Sequence, residues 1–373
     1  MSRASRRSFL AGGGLIAAAG GLAAAPAEMP KRTLGKTGLK VTVLGFGCMT
    51  TSDPSVIEQG VEAGINYFDT ARGYQNGQNE RMVGAALKPH RNKVYISSKT
   101  QAKNKADAFA HLDTTLKELG TDHVDIWYLH SRSTPEAIPD ELFDAQDEAV
   151  KAGKVRFKGV SFHNGHQKMF PFLIEKKRTD VILTSYNFTM EPWMDEWIDK
   201  AAGAGIGIVA MKVMAGGFRT NKPGTPMAER LSRQGAMAAA LKWAVRRPNV
   251  HTSIPGIMDL DQLDENYKAV ATGWKDDDSK VLAAQLKAIS PLYCRTCGTC
   301  AGRCAQGLPV SDILRILSYS DGYGEFALAR ERWQELPEAL QQVRCEDCSR
   351  CLIECPNGVR VRERVARAQE ILA

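Results

Sequence analysis

Eight of the nine cysteines in this 373-residue chain fall into two copies of one spacing: Cys294, Cys297, Cys300 and Cys304, then Cys345, Cys348, Cys351 and Cys355. Three thiolates spaced in this way can each bind one iron of the same iron–sulfide cube, while a more distant fourth must reach in from elsewhere in the chain. The doubled C-x-x-C-x-x-C-x-x-x-C pattern therefore points to two [4Fe-4S] clusters. Structural zinc is usually held by two C-x-x-C pairs, which leaves the third cysteine of each run without a place. Disulfides between such near neighbours require strained geometry, although eight late cysteines could also staple a small scaffold. Both remain alternatives to the clusters.

Length places these runs at the end of something larger. The chain suits one large domain plus a smaller one, and 43% hydrophobic residues suffice for a full core. No internal stretch is long and apolar enough to span a bilayer. The formal charge is +7. Arg3, Arg6 and Arg7 contribute three of these charges within residues 1–27, which hold no acid, leaving +4 for the rest. Short clusters such as Arg246-Arg247 make no basic stripe, so no nucleic-acid partner is expected. Ser5-Arg6-Arg7-Ser8-Phe9-Leu10, a weakly apolar run to Ala25, and the small residues Ala25-Pro26-Ala27 read as a twin-arginine export signal over 1–27. That route carries folded proteins, as a protein assembled around clusters in the cytoplasm requires. The expected location is periplasmic or otherwise extracytoplasmic, with a membrane tether only if the signal is uncleaved.

Residues 28–288 repeat a strand-then-helix pattern. Apolar, β-branched runs recur near Val41-Leu44, Ile65-Phe68, Val94-Ile96, Val124-Leu129, Val155-Val160, Val181-Leu183, Gly207-Ala210 and Val250-Ile254. Phe109, Leu112, Leu116 and Leu119 show the three-and-four spacing of a helix with one buried face. Alternation of this kind argues a parallel sheet. Eight repeats over about 260 residues argue an α/β fold of (β/α)8 TIM-barrel type, followed by a smaller, mainly helical iron–sulfur domain over 289–373.

In such a barrel the carboxyl ends of the strands share one face. Asp69 follows the second strand, Tyr74 stands five residues on, Lys99 ends the third and His130 ends the fourth. The quartet suits carbonyl reduction. Tyr74 can act as the acid, and a neighbouring Lys99 ammonium stabilises its phenolate, with each pKa unit worth about 1.4 kcal/mol. Asp69 holds Lys99, and His130 offers a hydrogen bond to the substrate oxygen. Cys48 ends the first strand as a small packing residue near the site. His163 and His166 either line a substrate pocket or lie on a surface loop.

Arg32 to Leu39, Gly64-Ile65-Asn66-Tyr67-Phe68-Asp69-Thr70-Ala71 with Tyr74, Asn79-Glu80 and Gly84, the strand ending at Lys99, and Leu129-His130 together resemble the aldo/keto reductase superfamily over roughly residues 31–268. The resemblance implies a barrel that binds NADP or NAD without a Rossmann fold, and a small carbonyl or alcohol substrate. It implies Tyr74 as general acid, tuned by Lys99 and Asp69, with His130 orienting the carbonyl. Ser161 takes the place of the serine at the carboxamide, Met211 that of the aromatic stacked on nicotinamide, and Glu265 and Asn266 that of the pair near the adenine. Leu183 replaces a glutamine, Gly256 a lysine common against the 2′-phosphate, and Gln262 an arginine. Losing those two cations weakens any preference for NADP over NAD.

The cysteine runs resemble those of two-cluster ferredoxins, with Pro356 in its usual place and Ala305 where a proline often stands. That resemblance implies crossed ligation, in which the fourth cysteine of each run closes the other cluster. One cluster then uses Cys294, Cys297, Cys300 and Cys355, and the other Cys345, Cys348, Cys351 and Cys304. Two functions follow. One is an exported oxidoreductase interconverting a carbonyl and an alcohol, whose clusters exchange electrons with a redox protein partner. The other is an electron-transfer protein whose barrel is a non-catalytic scaffold. Hydride moves electrons in pairs and clusters move them singly, and no glycine loop for a converting flavin is evident.

Overall fold

The computed structural model describes residues 28–218, 235–349 and 351–373; the signal expected over 1–27 lies outside them. Eight parallel strands run in sequence order: β3 (Phe46–Gly47), β4 (Tyr67–Asp69), β5 (Tyr95–Thr100), β6 (Val124–Leu129), β7 (Val155–Phe162), β8 (Val181–Ser185), β9 (Gly207–Met211) and β10 (Thr252–Ser253). Bridges Leu44–Ser253 and Gly47–Gly256 join the last strand to the first, so the sheet closes into a barrel.

The expected first strand at Val41-Leu44 is corrected. Lys40–Thr42 (β2) instead pairs antiparallel with Lys31–Thr33 (β1). Leu34, Leu39 and Val41 of this hairpin are fully buried among the inward-facing Tyr67, Tyr128, Val181 and Val209. The hairpin thus plugs the amino-terminal end of the barrel and leaves the carboxyl ends of the strands for chemistry. Its turn needs glycine at position 35, where φ is 52° and a Cβ would lie 2.4 Å from the Gly207 nitrogen.

Helices α1 (Pro54–Glu62), α2 (Gln78–Leu87), α3 (Lys105–Leu119), α4 (Asp140–Lys151), α5 (His166–Lys176), α6 (Trp193–Gly203), α7 (Ala236–Val245) and α8 (Leu260–Thr272) follow the strands. α3 begins at Asn104, whose side chain accepts the Asp107 N–H, and ends at the left-handed Gly120. Its Leu112 and Leu119 are buried and Phe109 and Leu116 pack beside them, as the spacing predicts.

After α9 (Asp276–Ile289), the helices α10 (Val310–Asp321), α11 (Phe326–Gln334), α12 (Glu338–Gln341) and α13 (Val361–Leu372) carry their own core. Ile313, Leu317, Trp333, Val365 and Ala368 form it, with Cys294, Cys300, Cys304, Cys345 and Cys355 packed against it. This helical unit sits on the mouth of the barrel. Arg332 Nη2 donates to the Gly73 carbonyl at 2.9 Å, and Asn187 Nδ2 to the Tyr293 hydroxyl at 3.3 Å. The approach is so close that a Cβ at Gly322 would meet the Gly216 oxygen at 1.8 Å, and one at Gly217 the Tyr323 ring at 2.5 Å.

Candidate active site at the barrel mouth

Period-two alternation on β5 turns Ser97 and Lys99 to one face, and β4 places Asp69 opposite Ser97. Ser97 Oγ donates to Asp69 Oδ1 at 2.7 Å and Lys99 Nζ to Asp69 Oδ2 at 2.5 Å. The ammonium also donates to the Thr70 carbonyl at 2.7 Å and the Tyr74 hydroxyl at 3.2 Å. Tyr74 and His130 meet edge to face with ring centres 5.9 Å apart. Four residues spread over three strand ends thus converge on one point. Asn79 braces them, accepting from Thr70 Oγ1 at 2.6 Å and donating to the Cys48 carbonyl at 2.8 Å. Glu80 is buried on the other face of β5, bound by Ser98, Thr115 and Arg72.

Burial decides the protonation states. Lys99 is desolvated, but the opposing Asp69 and the Tyr74 hydroxyl hold it above the ordinary lysine value, so it stays an ammonium. Burial pushes the Asp69 carboxyl up against the pull of Lys99. Tyr74 departs from expectation: burial raises its phenol by more than Lys99 lowers it. The phenol keeps its proton, which suits an acid that must arrive loaded. Burial, followed by the fields of Lys99, Arg332, Arg315 and Arg132, drives His130 well below the usual histidine range. It is a neutral imidazole with one N–H to offer.

The quartet opens into a cavity of about 350 Å³. His163 lines it, whereas His166 is buried against Phe162 and Trp193 and belongs to the core. Cys48 is fully buried beside Asp69, a packing residue beneath the site. Sequence reasoning missed a cationic part of the lining. Lys212 follows β9, and Arg315, Tyr319 and Arg332 come from the helical unit. Lys212 stands just beyond the end of a barrel strand, so the rule that located Lys99 extends to it. Nothing in the sequence pattern aims α10 at the barrel.

The nucleotide residues divide. Met211 lines the cavity beside Ile254, Pro255, Gly256 and Gln262. Leu183 points into the apolar barrel interior. Ser161 is buried, and its Oγ accepts the Ser131 N–H at 3.0 Å, so it holds the strained turn after His130, where Ser131 has φ 54°. Asn266 is fully buried with both side-chain polar atoms unpaired, which fits an amide waiting for a ligand. Glu265 lies beside it on α8 and has a partner already. These residues suit a nucleotide along the β9–β10 side.

None of the nine cysteines is joined in a disulfide. No set of three or more His, Cys, Asp or Glu among the described residues is drawn close enough to form a ready metal site. Cysteines of both runs pack against one apolar core, Cys294, Cys300 and Cys304 from the first and Cys345 and Cys355 from the second. Cysteine-only donors of this kind are those that iron–sulfur clusters take. Cys294 lines a small cleft with Lys212, Tyr293 and Arg315.

Comparison with known proteins agrees with the barrel. The profile of the Aldo/keto reductase family matches residues 51–286, a span that starts and ends later than the 31–268 expected and stops short of the cysteine runs. An uncharacterized oxidoreductase of Bacillus subtilis, YqkF, is 25% identical over 304 residues, covering 69% of this chain and 97% of its own length. L-glyceraldehyde 3-phosphate reductase of Escherichia coli K12 is 26% identical over 308 residues, covering 65% of this chain and 88% of the reductase. The holo structure of aldo-keto reductase AKR11C1 from Bacillus halodurans superposes with a TM-score of 0.59 at 26% identity, covering 70% of this chain and 96% of that one.

Proposed function

The chain belongs to the aldo/keto reductase family, and from that membership we propose that it is an exported iron–sulfur oxidoreductase interconverting a small carbonyl and its alcohol at the barrel mouth. The observation that carries this reading is the buried chain Asp69–Lys99–Tyr74 beside a neutral His130. His130 donates to the carbonyl oxygen and fixes its orientation. Tyr74 gives its proton to that oxygen as charge develops, and Lys99, anchored by Asp69, steadies the phenolate left behind. In the oxidative direction the phenolate takes the proton back. Met211, Ser161, Asn266 and Glu265 would hold a nicotinamide nucleotide, which when bound would supply or accept the hydride.

Cys294, Cys297, Cys300 and Cys355 would hold one cluster and Cys345, Cys348, Cys351 and Cys304 the other, and these would supply single-electron exchange with a redox protein partner. The cleft shared by Cys294 and Lys212 supports a link between them and the site. A nucleotide bound before export along the twin-arginine route accounts for cofactor supply outside the cytoplasm. The scaffold reading is favoured by Met211, Leu183 and Gly256 in place of nucleotide-contacting residues, but it leaves the intact quartet without a use. Tyr74→Phe tests the choice. It should lower carbonyl turnover by about 10²–10⁴-fold with the visible spectrum of the clusters unchanged, and undiminished turnover would refute Tyr74 as the acid.

A further inference from the structure

Three groups in the cationic part of the cavity lining form a unit that the carbonyl chemistry does not use. Lys212 holds a left-handed backbone (φ 57°), a conformation costly for a side-chain-bearing residue and recurrent at functional positions. Its ammonium lies 4.5 Å from the Tyr319 ring and 5.5 Å from that of Tyr323, and no carboxylate pairs with it among the described residues. Arg315 donates through Nη1 to the Tyr319 hydroxyl at 2.9 Å and through Nη2 to Asp312 at 3.2 Å. Its Nε is buried without a partner. Of these two buried cations only Arg315 has a carboxylate partner, Asp312, and the Tyr319 phenol lies between both.

We propose that Lys212, Arg315 and Tyr319 form an anion subsite of the cavity, which takes a carboxylate or phosphoryl group carried by the substrate while Tyr319 gains one proton. The subsite rests on the reading of this cavity as a carbonyl site and adds the substrate class: oxoacids or phosphorylated carbonyl compounds. Above about pH 7 the ionised Tyr319 serves as counter-ion of the cations in the free protein. Burial pushes its phenol up, but Lys212 and Arg315 outweigh that and bring it down to about 7. An incoming anion takes over as counter-ion. The phenolate then collects a proton from solvent and donates it as a hydrogen bond to the ligand, so that charge in the cavity is conserved and no bond to carbon changes.

The remaining groups facing Tyr319 do not duplicate this role. Tyr323 stacks on it at 5.9 Å, and burial holds both Tyr323 and Tyr293, which also feels Tyr319, as neutral phenols. Tyr74 faces it from the barrel as a neutral phenol, and His130 and His163 are neutral imidazoles. Arg332 adds positive field but is matched by Glu335 and the Gly73 carbonyl. Tyr319 is therefore the group whose charge changes near neutral pH.

The test is calorimetry on the anaerobically purified full-length protein. Its probes are oxamate, a redox-inert oxoacid analogue, its uncharged counterpart oxamide, and inorganic phosphate. Oxamate should bind with uptake of one proton, measured in buffers of different ionisation enthalpy, and weaken about tenfold per pH unit above about 7. Tyr319→Phe should bind oxamate without proton uptake and with a flattened pH dependence, and Lys212→Met should bind at least about tenfold more weakly. Should Tyr319→Phe fail to fold, loss of the tyrosinate ultraviolet band when oxamate is added to the unaltered protein reports the same proton. Phosphate binding with the same proton uptake, where oxamate fails, identifies the anion as phosphoryl and supports the subsite. Equal binding of oxamate and oxamide, or anion binding without proton uptake, overturns it. Tyr74→Phe should retain oxamate binding, so a failed reaction and a failed subsite give different results.

Discussion

At the scale of single residues, the Lys99–Asp69 contact is the point of greatest energetic consequence. Both side chains are almost wholly buried, and a buried pair deprived of one member leaves an uncompensated charge. Lys99→Met should destabilise the fold by about 3–5 kcal/mol in urea unfolding, and Lys99→Met with Asp69→Leu should recover much of that loss. Equal destabilisation by the single and double variants would argue against the pair. Because Lys99 is raised in the folded state, its contribution is fully present below the unfolded lysine value of about 10.4 and is lost only as pH climbs through the folded value. Stability should therefore not respond to this group between neutral pH and that limit. The quartet was legible in the sequence because strand ends share a face. The direction of the Tyr74 shift was not, because desolvation depends on what covers the ring, and part of the cover comes from a helix more than two hundred residues away.

Among the elements, the contact between the loop after β9 and the end of α10 decides whether barrel and helical unit act together. Gly322→Ala would drive a methyl into the Gly216 carbonyl, with backbone on both sides and no flexible side chain to yield. The substitution should cost about 1–3 kcal/mol and expose the α10–barrel junction to protease. Unchanged thermal stability and protease resistance would show that the close approach is not maintained in solution. Seven of the eight barrel strands stand where the apolar runs predict. The first was misplaced because Val41 is as apolar and β-branched as a barrel strand residue, yet it belongs to the hairpin that plugs the barrel floor, and period alone does not separate the two. Lys212 could have been read from its place after β9. Arg315 and Tyr319 could not, since their one-turn spacing on α10 reads as an ordinary helix face.

Across the whole molecule, cysteines of the two runs pack against one shared core, an arrangement that suits the crossed ligation proposed for them. Cys355→Ala should damage the cluster of the first run, seen as loss of about half the iron with the second run's signal retained. Loss confined to the second run would refute the crossing. The family profile ends at residue 286, yet Arg332, Arg315 and Tyr319 from beyond that point complete the cavity. A barrel without its helical unit would be an altered site, not a simpler one. The central claim is that barrel and cysteine runs form one redox unit, and the most direct measurement is chemical. The full-length protein, purified anaerobically and then denatured, should release about eight iron and eight sulfide per chain, as two four-iron clusters require, together with a nicotinamide nucleotide. Zinc in place of iron and sulfide, or a barrel that yields no nucleotide and binds neither added NAD nor NADP, would contradict it.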